Sequence, residues 1–161
     1  MINLLKIKKD FLLKTRGISV IEILIIIAVL GIIFLIFIPQ FSKLREMQVL
    51  KSGVGDILSS IDKARSETLA SVDSSSYGVH FQSDKIIIFK GTVFSDSDVN
   101  NKTINITTPA TISDITLGGG GSDLYFNRLS GAPNTTGTVI VSTTSYSKTI
   151  TISATGVASV N

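Results

Sequence analysis

The chain has 161 residues, enough for one domain of ordinary size and short of the usual length for two. Hydrophobic residues make up 43% and charged residues 17%, which excludes disorder of the whole chain, and the lack of cysteine excludes a disulfide-stapled module. The net charge of +3 is uneven: five basic residues and one acidic residue lie in residues 1–17, whereas ten basic and ten acidic side chains cancel in residues 40–161. This distribution argues against a strongly basic DNA-binding domain.

An apolar segment at residues 23–38 contains sixteen consecutive residues without a polar side chain. Extending it back to Ile18 adds only Ser19 and Glu22 as polar residues, and as a helix it would reach about 30 Å, the thickness of the hydrocarbon core of a bilayer. A core helix would show a polar stripe with a period of 3.6 residues, and this segment has none. We therefore predict that the segment spans a membrane.

The charges beside this span predict its orientation. Five basic residues precede it, and the basic residues after it, Lys43, Arg45 and Lys51, are less dense. By the positive-inside rule, we expect the N-terminus in the cytoplasm and residues 40–161 on the far side of the membrane. An ordinary cleaved secretory signal fits poorly, because the apolar run ends in Pro39-Gln40-Phe41 and not in a small-residue cleavage site. A plain uncleaved signal anchor stays open.

Glu22 does not suit a plain anchor, because an acidic side chain inside a bilayer costs a few kcal/mol or more unless it is paired. One interpretation keeps Glu22 close enough to the headgroups to stay hydrated. In the other interpretation, a cation pairs with Glu22 at that depth. This cation is a new amino terminus, which a cut just before the apolar segment creates on a neighbouring subunit.

The run Arg16-Gly17-Ile18-Ser19-Val20-Ile21-Glu22, followed by the apolar stretch, resembles the type III signal of type IV pilins and type II secretion pseudopilins. The resemblance implies that residues 1–17 are a leader, that a prepilin peptidase cuts after Gly17, and that it methylates the new amino terminus at Ile18. It also implies that Glu22 is the family's glutamate at the fifth mature position. Residues 18–39 would then be the transmembrane and assembly helix.

Gly31 and Pro39 stand where many pilins carry a glycine and a proline. Both residues weaken a helix, so the span could lose helical order locally when it moves from lipid into a filament. There, Glu22 would meet the amine of Ile18 on an adjacent subunit, and this pairing would set register as much as strength. The partners implied are the prepilin peptidase, other pilin or pseudopilin subunits and the inner-membrane assembly platform.

After Pro39, apolar residues recur at spacings of three and four, which predicts an amphipathic helix over residues 40–72 with one buried side. Its apolar stripe consists of Met47, Leu50, Val54, Ile57, Ile61 and Ala64. Gly53 and Gly55 interrupt the pattern and predict a bend or weak spot, since glycine costs about 1 kcal/mol relative to alanine.

Residues 73–161 are predicted to form an antiparallel β domain. A hairpin is expected first, with Ser83-Asp84 as its turn. Polar or glycine-rich loops are expected at residues 94–102 and 118–122. The predicted strands are 77–82, 85–90, 103–107, 112–117, 123–128, 138–143, 149–153 and 156–160. The predicted fold class is therefore α+β, with one long N-terminal helix, transmembrane and then amphipathic, packed on antiparallel sheet that has one face in solvent.

The segment Ile61–Leu69 (IDKARSETL) is similar to the helix end of the H-type pseudopilins and their FimT-like minor pilin relatives. Tyr77-Gly78-Val79, Tyr125-Phe126-Asn127, Gly131 and Gly156-Val157 agree with the same family. The resemblance implies a pilin-like fold and a structural subunit of a type II secretion pseudopilus or a type IV pilus.

Two other functions stay open. One is a membrane-anchored minor pilin that captures DNA or another ligand, and the other is a plain anchored domain outside the cytoplasm. Some FimT-like pilins are thought to bind DNA through basic residues near the C-terminus, but Lys148 is the only basic residue in residues 129–161. Because even modest phosphate binding needs clustered cations, nucleic acid is not expected as a partner.

Three features could be mistaken for ligand sites. Gly118–Gly121 lacks the Lys-Ser/Thr of a phosphate-binding loop and precedes a predicted strand instead of a helix. His80 has no second histidine to complete a metal pair. A cluster of oxygen-bearing side chains lacks the glycine and the terminal glutamate of an EF-hand; it consists of Asp96, Asp98, Asn100 and Asn101. The sequence therefore predicts no enzyme, no metal site and no cofactor.

Overall fold

The structure is a computed structural model that describes residues 17–161. The predicted leader therefore lies outside the described residues except for Gly17. The chain divides into two compact units, Met1–Phe41 and Ser42–Asn161. The elements are α1 (Val20–Leu69), a short 3-10 turn (Val72–Ser74), β1 (Tyr77–Phe81), β2 (Lys85–Lys90), β3 (Lys102–Asn105), β4 (Thr111–Leu117), β5 (Asp123–Tyr125), β6 (Gly137–Ser142), β7 (Ser147–Ile152) and β8 (Ala158–Val160).

Helix α1 is 50 residues long, and its second half carries the predicted apolar stripe. The stripe is buried from its second residue onward, with Leu50, Val54, Ile57, Ile61 and Ala64 all at most 8% exposed. The predicted weak spot does not interrupt α1, which stays helical through both of its central glycines. Gly53 is buried where the helix meets the β3–β4 connection, and a Cβ added there would lie 3.4 Å from Ile106, at ordinary van der Waals contact.

The eight strands form two antiparallel four-stranded sheets, with the orders β3-β2-β1-β5 and β4-β6-β7-β8. This confirms the α+β class with a long N-terminal helix and antiparallel strands. The strands divide between two sheets because β4 pairs with β6 in the second sheet, whereas β5 returns to the first and pairs with β1.

The predicted hairpin is confirmed. Phe81 pairs with Ile86, and the backbone N–H of Gln82 donates to the carbonyl oxygen of Lys85 at 2.9 Å, so Ser83 and Asp84 form the turn. In β7 the predicted alternation is also observed, with Ile150 and Ile152 buried between half-buried threonines. This period of two places one side of the strand in the core.

The core of the second unit combines α1 with both sheets. Its largest fully buried side chains include Phe81, Phe126, Ile57, Ile61, Ile86, Ile88, Leu124, Ile150 and Ile152. Every one of these positions belongs to the helix stripe or to a predicted strand. The hydrophobic pattern of the sequence therefore locates the core correctly.

The first sheet departs from the prediction of one face in solvent. In β2, Ile86 and Ile88 belong to the main core, but Ile87 and Phe89, which alternate with them, are also buried. Phe94 from the β2–β3 loop helps to cover this second face, because its ring stacks on His80 with centroids 3.9 Å apart and meets Phe89 edge-on at 5.7 Å. The loop expected to be a polar connector thus contributes an aromatic side chain to a second, smaller core.

Candidate membrane and assembly segment

The apolar segment 18–38 is exposed along its whole length in the first unit. Its large apolar side chains are between 42% and 75% exposed. Within the described residues, α1 is the one helix long and apolar enough to cross a membrane. Such a surface is unfavourable in water by roughly 25 cal/mol per Å² and is stable in lipid or against other apolar helices. The segment therefore has the chemistry of a membrane span or of a helix that packs in a bundle.

The backbone just before this helix is open. Gly17, Ile18 and Ser19 are exposed and lie outside any helix or strand. Helix α1 begins at Val20, and the carbonyl oxygen of Ser19 accepts the backbone N–H of Glu22 at 3.0 Å. The Gly17–Ile18 peptide bond thus lies in exposed, non-helical backbone just before the helix.

Glu22 lies in the first turn of α1 and is exposed. The positive end of the helix dipole favours a negative charge at this position. Residues 18–42 contain no other charged side chain. A side-chain cation for Glu22 must therefore come from outside this stretch, and a free amine at Ile18 is the nearest charge that processing could create.

The other two predicted assembly residues lie further along the same helix. Gly31 is exposed, and a Cβ added there would have no neighbour within 4 Å. Pro39 lies within the helical range of α1. At 1.5 Å per residue, Glu22, Gly31 and Pro39 are spaced by about 13 Å and about 12 Å along the axis. Because nine residues correspond to two and a half turns, Glu22 and Gly31 lie on opposite faces of the helix and do not share one face.

The residues of the second resemblance meet in the second unit. Arg65 Nε donates to the carbonyl oxygen of Gly131 at 3.1 Å. A Cβ added at Gly156 would lie 2.6 Å from that oxygen, and one added at Gly131 would lie 2.9 Å from Leu69. Gly131 also has a φ of +63°, in the region that favours glycine. These positions, distant in the sequence, join the end of α1 to two loops of the β domain.

Thr68 is a structural residue that the sequence reasoning missed. It is fully buried, its Oγ1 donates to the carbonyl oxygen of Ala64 at 2.8 Å, and it accepts the backbone N–H of Tyr77 at 2.8 Å. One polar side chain thus connects the last turn of α1 to the start of β1. The signal was present, because Thr68 continues the apolar stripe four residues after Ala64.

Charged side chains stabilise the same region. Lys90 Nζ lies 3.0 Å from Asp73 Oδ2, and Lys102 Nζ lies 3.1 Å from Glu67 Oε1. Burial of the Tyr77 phenol, and next the negative charge of Asp73, raise the pKa of Tyr77 above its ordinary value of 10.0. The end of α1 is therefore held by a polar network as well as by apolar packing.

Two of the three features weighed as ligand sites, His80 and the cluster around Asp98, have partners within the domain. His80 Nδ1 lies 2.5 Å from Asp123 Oδ1, and its ring is stacked on Phe94. Asp98 accepts the backbone and side-chain N–H groups of Asn100 at 2.9 and 2.8 Å, and these bonds lower the pKa of Asp98. Gly119–Gly121 line a pocket of about 220 Å³ before β5. No group of three or more His, Cys, Asp or Glu side chains placed to hold a metal occurs in residues 17–161.

The described residues thus separate into an exposed apolar helix with one acid near its start and a β domain with its own core. Comparison of the chain with protein-family models, with curated proteins and with solved structures found no match.

Proposed function

We propose that the chain is a pilin-like structural subunit, an H-type pseudopilin or FimT-like minor pilin, that assembles into a type II secretion pseudopilus or a type IV pilus. The observation that supports this proposal is the exposed apolar segment 18–38, whose only charged side chain, Glu22, lies in the first turn of α1 beside the open Gly17–Ile18 backbone. An apolar surface of this extent needs lipid before assembly and other helices after it.

Processing is the first step of the proposed mechanism. A prepilin peptidase cuts the Gly17–Ile18 bond on the cytoplasmic side and methylates the amine of Ile18. The exposed, non-helical backbone of residues 17–19 gives the enzyme access. Cleavage removes the basic residues of the leader and leaves a single positive charge, the new amino terminus, four residues before Glu22.

Assembly is the second step. The subunit leaves the bilayer through the assembly platform, and its apolar helix packs against those of other subunits. The amine of Ile18 on one subunit pairs with Glu22 of its neighbour. Because an unpaired charge in an apolar bundle is strongly unfavourable, the pairing selects one axial register among many that apolar contacts would allow. Gly31 leaves open space on the helix surface where a neighbouring helix can approach closely.

The proposal places the N-terminus in the cytoplasm, one span in the inner membrane and the β domain outside, where it selects neighbouring subunits. It includes no enzymatic activity, no cofactor and no nucleic acid. Two alternatives are kept for the test: a minor pilin that serves as a ligand-binding module, and a plain anchored domain. The first shares the processing step, whereas the second does not.

Intact mass is the measurement that tests the proposal. The full chain is expressed in a host that contains prepilin peptidase and in a matched strain that lacks it. We expect loss of residues 1–17 in the first strain only, with or without one added methyl group on Ile18. An unchanged full-length mass in both strains would contradict processing and would support the alternative of a plain anchored domain.

A variant pair makes the same test specific to the cleavage site. Gly17→Val places a branched side chain next to the scissile bond and should leave the leader attached. Ile21→Leu exchanges one apolar side chain for another nearby and should be cut normally. Efficient cutting of Gly17→Val would refute the assignment of Gly17 as the last leader residue.

A further inference from the structure

A groove lies where the second unit begins. It has a volume of about 320 Å³, at the lower end of the range for small-molecule sites, and is lined by Ser42, Arg45, Glu46, Thr108 and Pro109. Arg45 and Glu46 are successive residues of α1, and neighbouring positions on a helix do not face each other. The groove therefore combines one cation and one anion with the hydroxyl groups of a serine and a threonine.

The two charges of this groove are not neutralised within the domain. Neither Arg45 nor Glu46 forms an ion pair within residues 17–161, although the two residues are adjacent. Arg45 is exposed, whereas Glu46 is half-buried, and its Oε2 atom is buried without a hydrogen-bond partner in the described part of the chain. The Oε1 atom is therefore the oxygen of Glu46 that is left for a donor from the groove. A ligand that fits both side chains carries a negative group and a positive group.

The position of the groove along the chain links it to the membrane. Ser42 follows Ile38, the last residue of the apolar segment, by four residues, so connectivity alone keeps it within about 14 Å of the end of that segment. The headgroup layer extends about 5–8 Å beyond the hydrocarbon core on each side, and a long arginine side chain can reach back toward it. When residues 18–38 span a bilayer, the groove therefore lies within reach of the headgroups on the side that the proposed topology places outside.

We propose that this groove binds the headgroup of a phospholipid that carries a phosphate and a primary ammonium, as in phosphatidylethanolamine. Arg45 donates to the phosphate oxygens, since a guanidinium forms short, charge-assisted hydrogen bonds with phosphate. The ammonium donates to Oε1 of Glu46, and the hydroxyl of Ser42 offers a further donor to the phosphate. The acyl chains stay in the bilayer beside the apolar segment.

The charge pattern of the groove favours this lipid over two other kinds. An anionic headgroup such as phosphatidylglycerol would satisfy Arg45 but would be repelled by the carboxylate of Glu46. A choline headgroup carries the same two charges, but its quaternary nitrogen has no N–H to donate to Glu46. General attraction to the basic residues after the span is a different mechanism, because it would depend on Lys43 and Lys51 as much as on Arg45.

The site rests on the proposed membrane span. A bound headgroup ties the second unit to the bilayer surface, and the subunit has to release it when it leaves the lipid for a filament. The contact therefore belongs to the subunit stored in the membrane and not to the assembled one. Its role is to retain the subunit at the bilayer before assembly.

Native mass spectrometry of the full chain tests the site. The protein is purified in detergent, delipidated and titrated with phosphatidylethanolamine, phosphatidylglycerol or phosphatidylcholine of matched acyl chains. We expect one molecule of phosphatidylethanolamine to bind about tenfold more tightly than either of the other lipids. Glycerophosphoethanolamine, which has the headgroup without acyl chains, should bind far more weakly than the lipid. Equal affinity for the three lipids, or for the lipid and the soluble headgroup, would overturn the proposal.

A pair of arginine and lysine variants tests the phosphate contact. Arg45→Ala should lower the affinity for phosphatidylethanolamine about tenfold, because the phosphate loses its charged donor. Arg45 is exposed, so its truncation leaves the core of the domain intact. Lys43→Ala is the matched control: it removes the same charge two residues away, at a side chain that does not line the groove, and should change the affinity less than about twofold. Equal losses in the two variants would indicate general attraction and contradict the site.

A change at Glu46 tests the ammonium contact. Glu46→Gln keeps the shape of the side chain and removes its charge, so it should abolish the preference for phosphatidylethanolamine over phosphatidylglycerol. Binding of phosphatidylglycerol should rise in the same variant, because the repulsion from the carboxylate is gone. A preference for phosphatidylethanolamine that survives in Glu46→Gln would contradict the pairing of the ammonium with Glu46.

Membrane extraction and intact mass, in a host that contains prepilin peptidase, separate this proposal from the proposed function. Release of the chain from membranes by alkaline carbonate would contradict the span and overturn both proposals. A retained chain that keeps residues 1–17 and still prefers phosphatidylethanolamine supports the lipid site and contradicts processing. A retained and processed chain without this lipid preference overturns the site and leaves the assembly subunit in place.

Discussion

Helix α1 contains two regions with the same backbone and opposite surroundings. Between residues 18 and 38 its large apolar side chains are all exposed, whereas from Leu50 to Ala64 the apolar stripe is at most 8% exposed. The first region carries apolar residues on all faces and the second on one face. The comparison shows that a helix's periodicity predicts its environment: one-sided helices pack on their own domain, and all-apolar helices need lipid or other chains.

The same difference separates two kinds of contribution to function. Side chains of the second region stabilise the domain, so their loss should appear as a change in unfolding free energy. Side chains of the first region make no comparable contribution to the unfolding free energy until another molecule covers them. Substitutions in the two regions should therefore affect different measurements, which the following variants test in order of expected effect.

Glu22→Ala should have the largest effect, and only on assembly. An unpaired amine inside an apolar bundle costs about 3–5 kcal/mol, so the subunit incorporated into sheared filaments should fall at least about a hundredfold. Glu22→Asp keeps the charge and should retain part of the incorporation. Domain unfolding should stay at the wild-type value for both. Normal incorporation of Glu22→Ala would falsify the pairing with Ile18.

Ile61→Ala should show the reverse behaviour. Ile61 is fully buried between α1 and the sheets, and truncation of such a residue costs about 2–5 kcal/mol of unfolding free energy. The matched change Ile26→Ala, at a residue that is 50% exposed, should leave that free energy unchanged. Urea unfolding of the full chain in detergent micelles, followed by near-UV circular dichroism, measures both. Equal losses in the two variants would contradict the division of α1 into two regions.

Two glycine-to-alanine changes compare the β domain with the apolar segment by the space that each leaves for an added Cβ. A Cβ at Gly78 would lie 2.5 Å from Phe89 Cζ and 2.7 Å from the carbonyl oxygen of Leu124, so Gly78→Ala should lose about 1–3 kcal/mol of domain stability. A Cβ at Gly31 meets nothing within 4 Å, and Gly31→Ala should strengthen the helix by about 1 kcal/mol or less. Urea unfolding reports the first change, and hydrogen exchange of the span in micelles reports the second. The first change should lower stability and the second should raise it, and this difference in sign is the result to check.

Thr68→Val tests the polar link from α1 to β1. It leaves the buried N–H of Tyr77 without its acceptor, which costs about 1–3 kcal/mol. Ser60→Ala is the control, since Ser60 is also buried but its hydroxyl donates only to Asp56 within the same helix. Thermal unfolding should show a clear loss for the first variant and little change for the second. Similar losses would indicate that Thr68 has no special role.

The smallest expected effect is a pH dependence of the stability of the loop that contains Asp98. Hydrogen bonds from Asn100 lower the folded-state pKa of Asp98 below its ordinary value of 3.8. Their contribution to loop stability is therefore fully present above pH 3.8 and is lost as the pH falls through the folded-state value. Amide chemical shifts of Asn100 during acid titration should follow this loss, and Asp98→Asn should remove it. A midpoint above 3.8 would contradict the assignment.

Local patterns were sufficient for much of the fold. The buried stripe of α1, the Ser83-Asp84 hairpin turn and the alternation of β7 all follow from side-chain periods and turn residues. The unbroken helix at Gly53 was not predicted, because Gly53 is buried against Ile106, a residue that lies far away in the sequence. The covered second face of β2 was missed for the same reason, since Phe94 lies in a loop whose composition is otherwise polar.

The candidate site shows the same limit. The residues of the proposed processing and assembly segment are close together in a linear motif, so the hypothesis for Gly17, Ile18 and Glu22 could be stated from the sequence alone. The junction of Arg65, Gly131 and Gly156 has no such signal, because these residues are distant in the sequence and meet only in the folded domain.

The sequence by itself determined the apolar span, the amphipathic continuation of the helix and the strand positions, because each depends on the spacing of side chains along the chain. Only the tertiary structure decided that β5 joins β1 while β4 pairs with β6, and that Arg65, Gly131 and Gly156 share one junction. Those choices depend on which distant surfaces fit together at close-packed density. No local period carries that information.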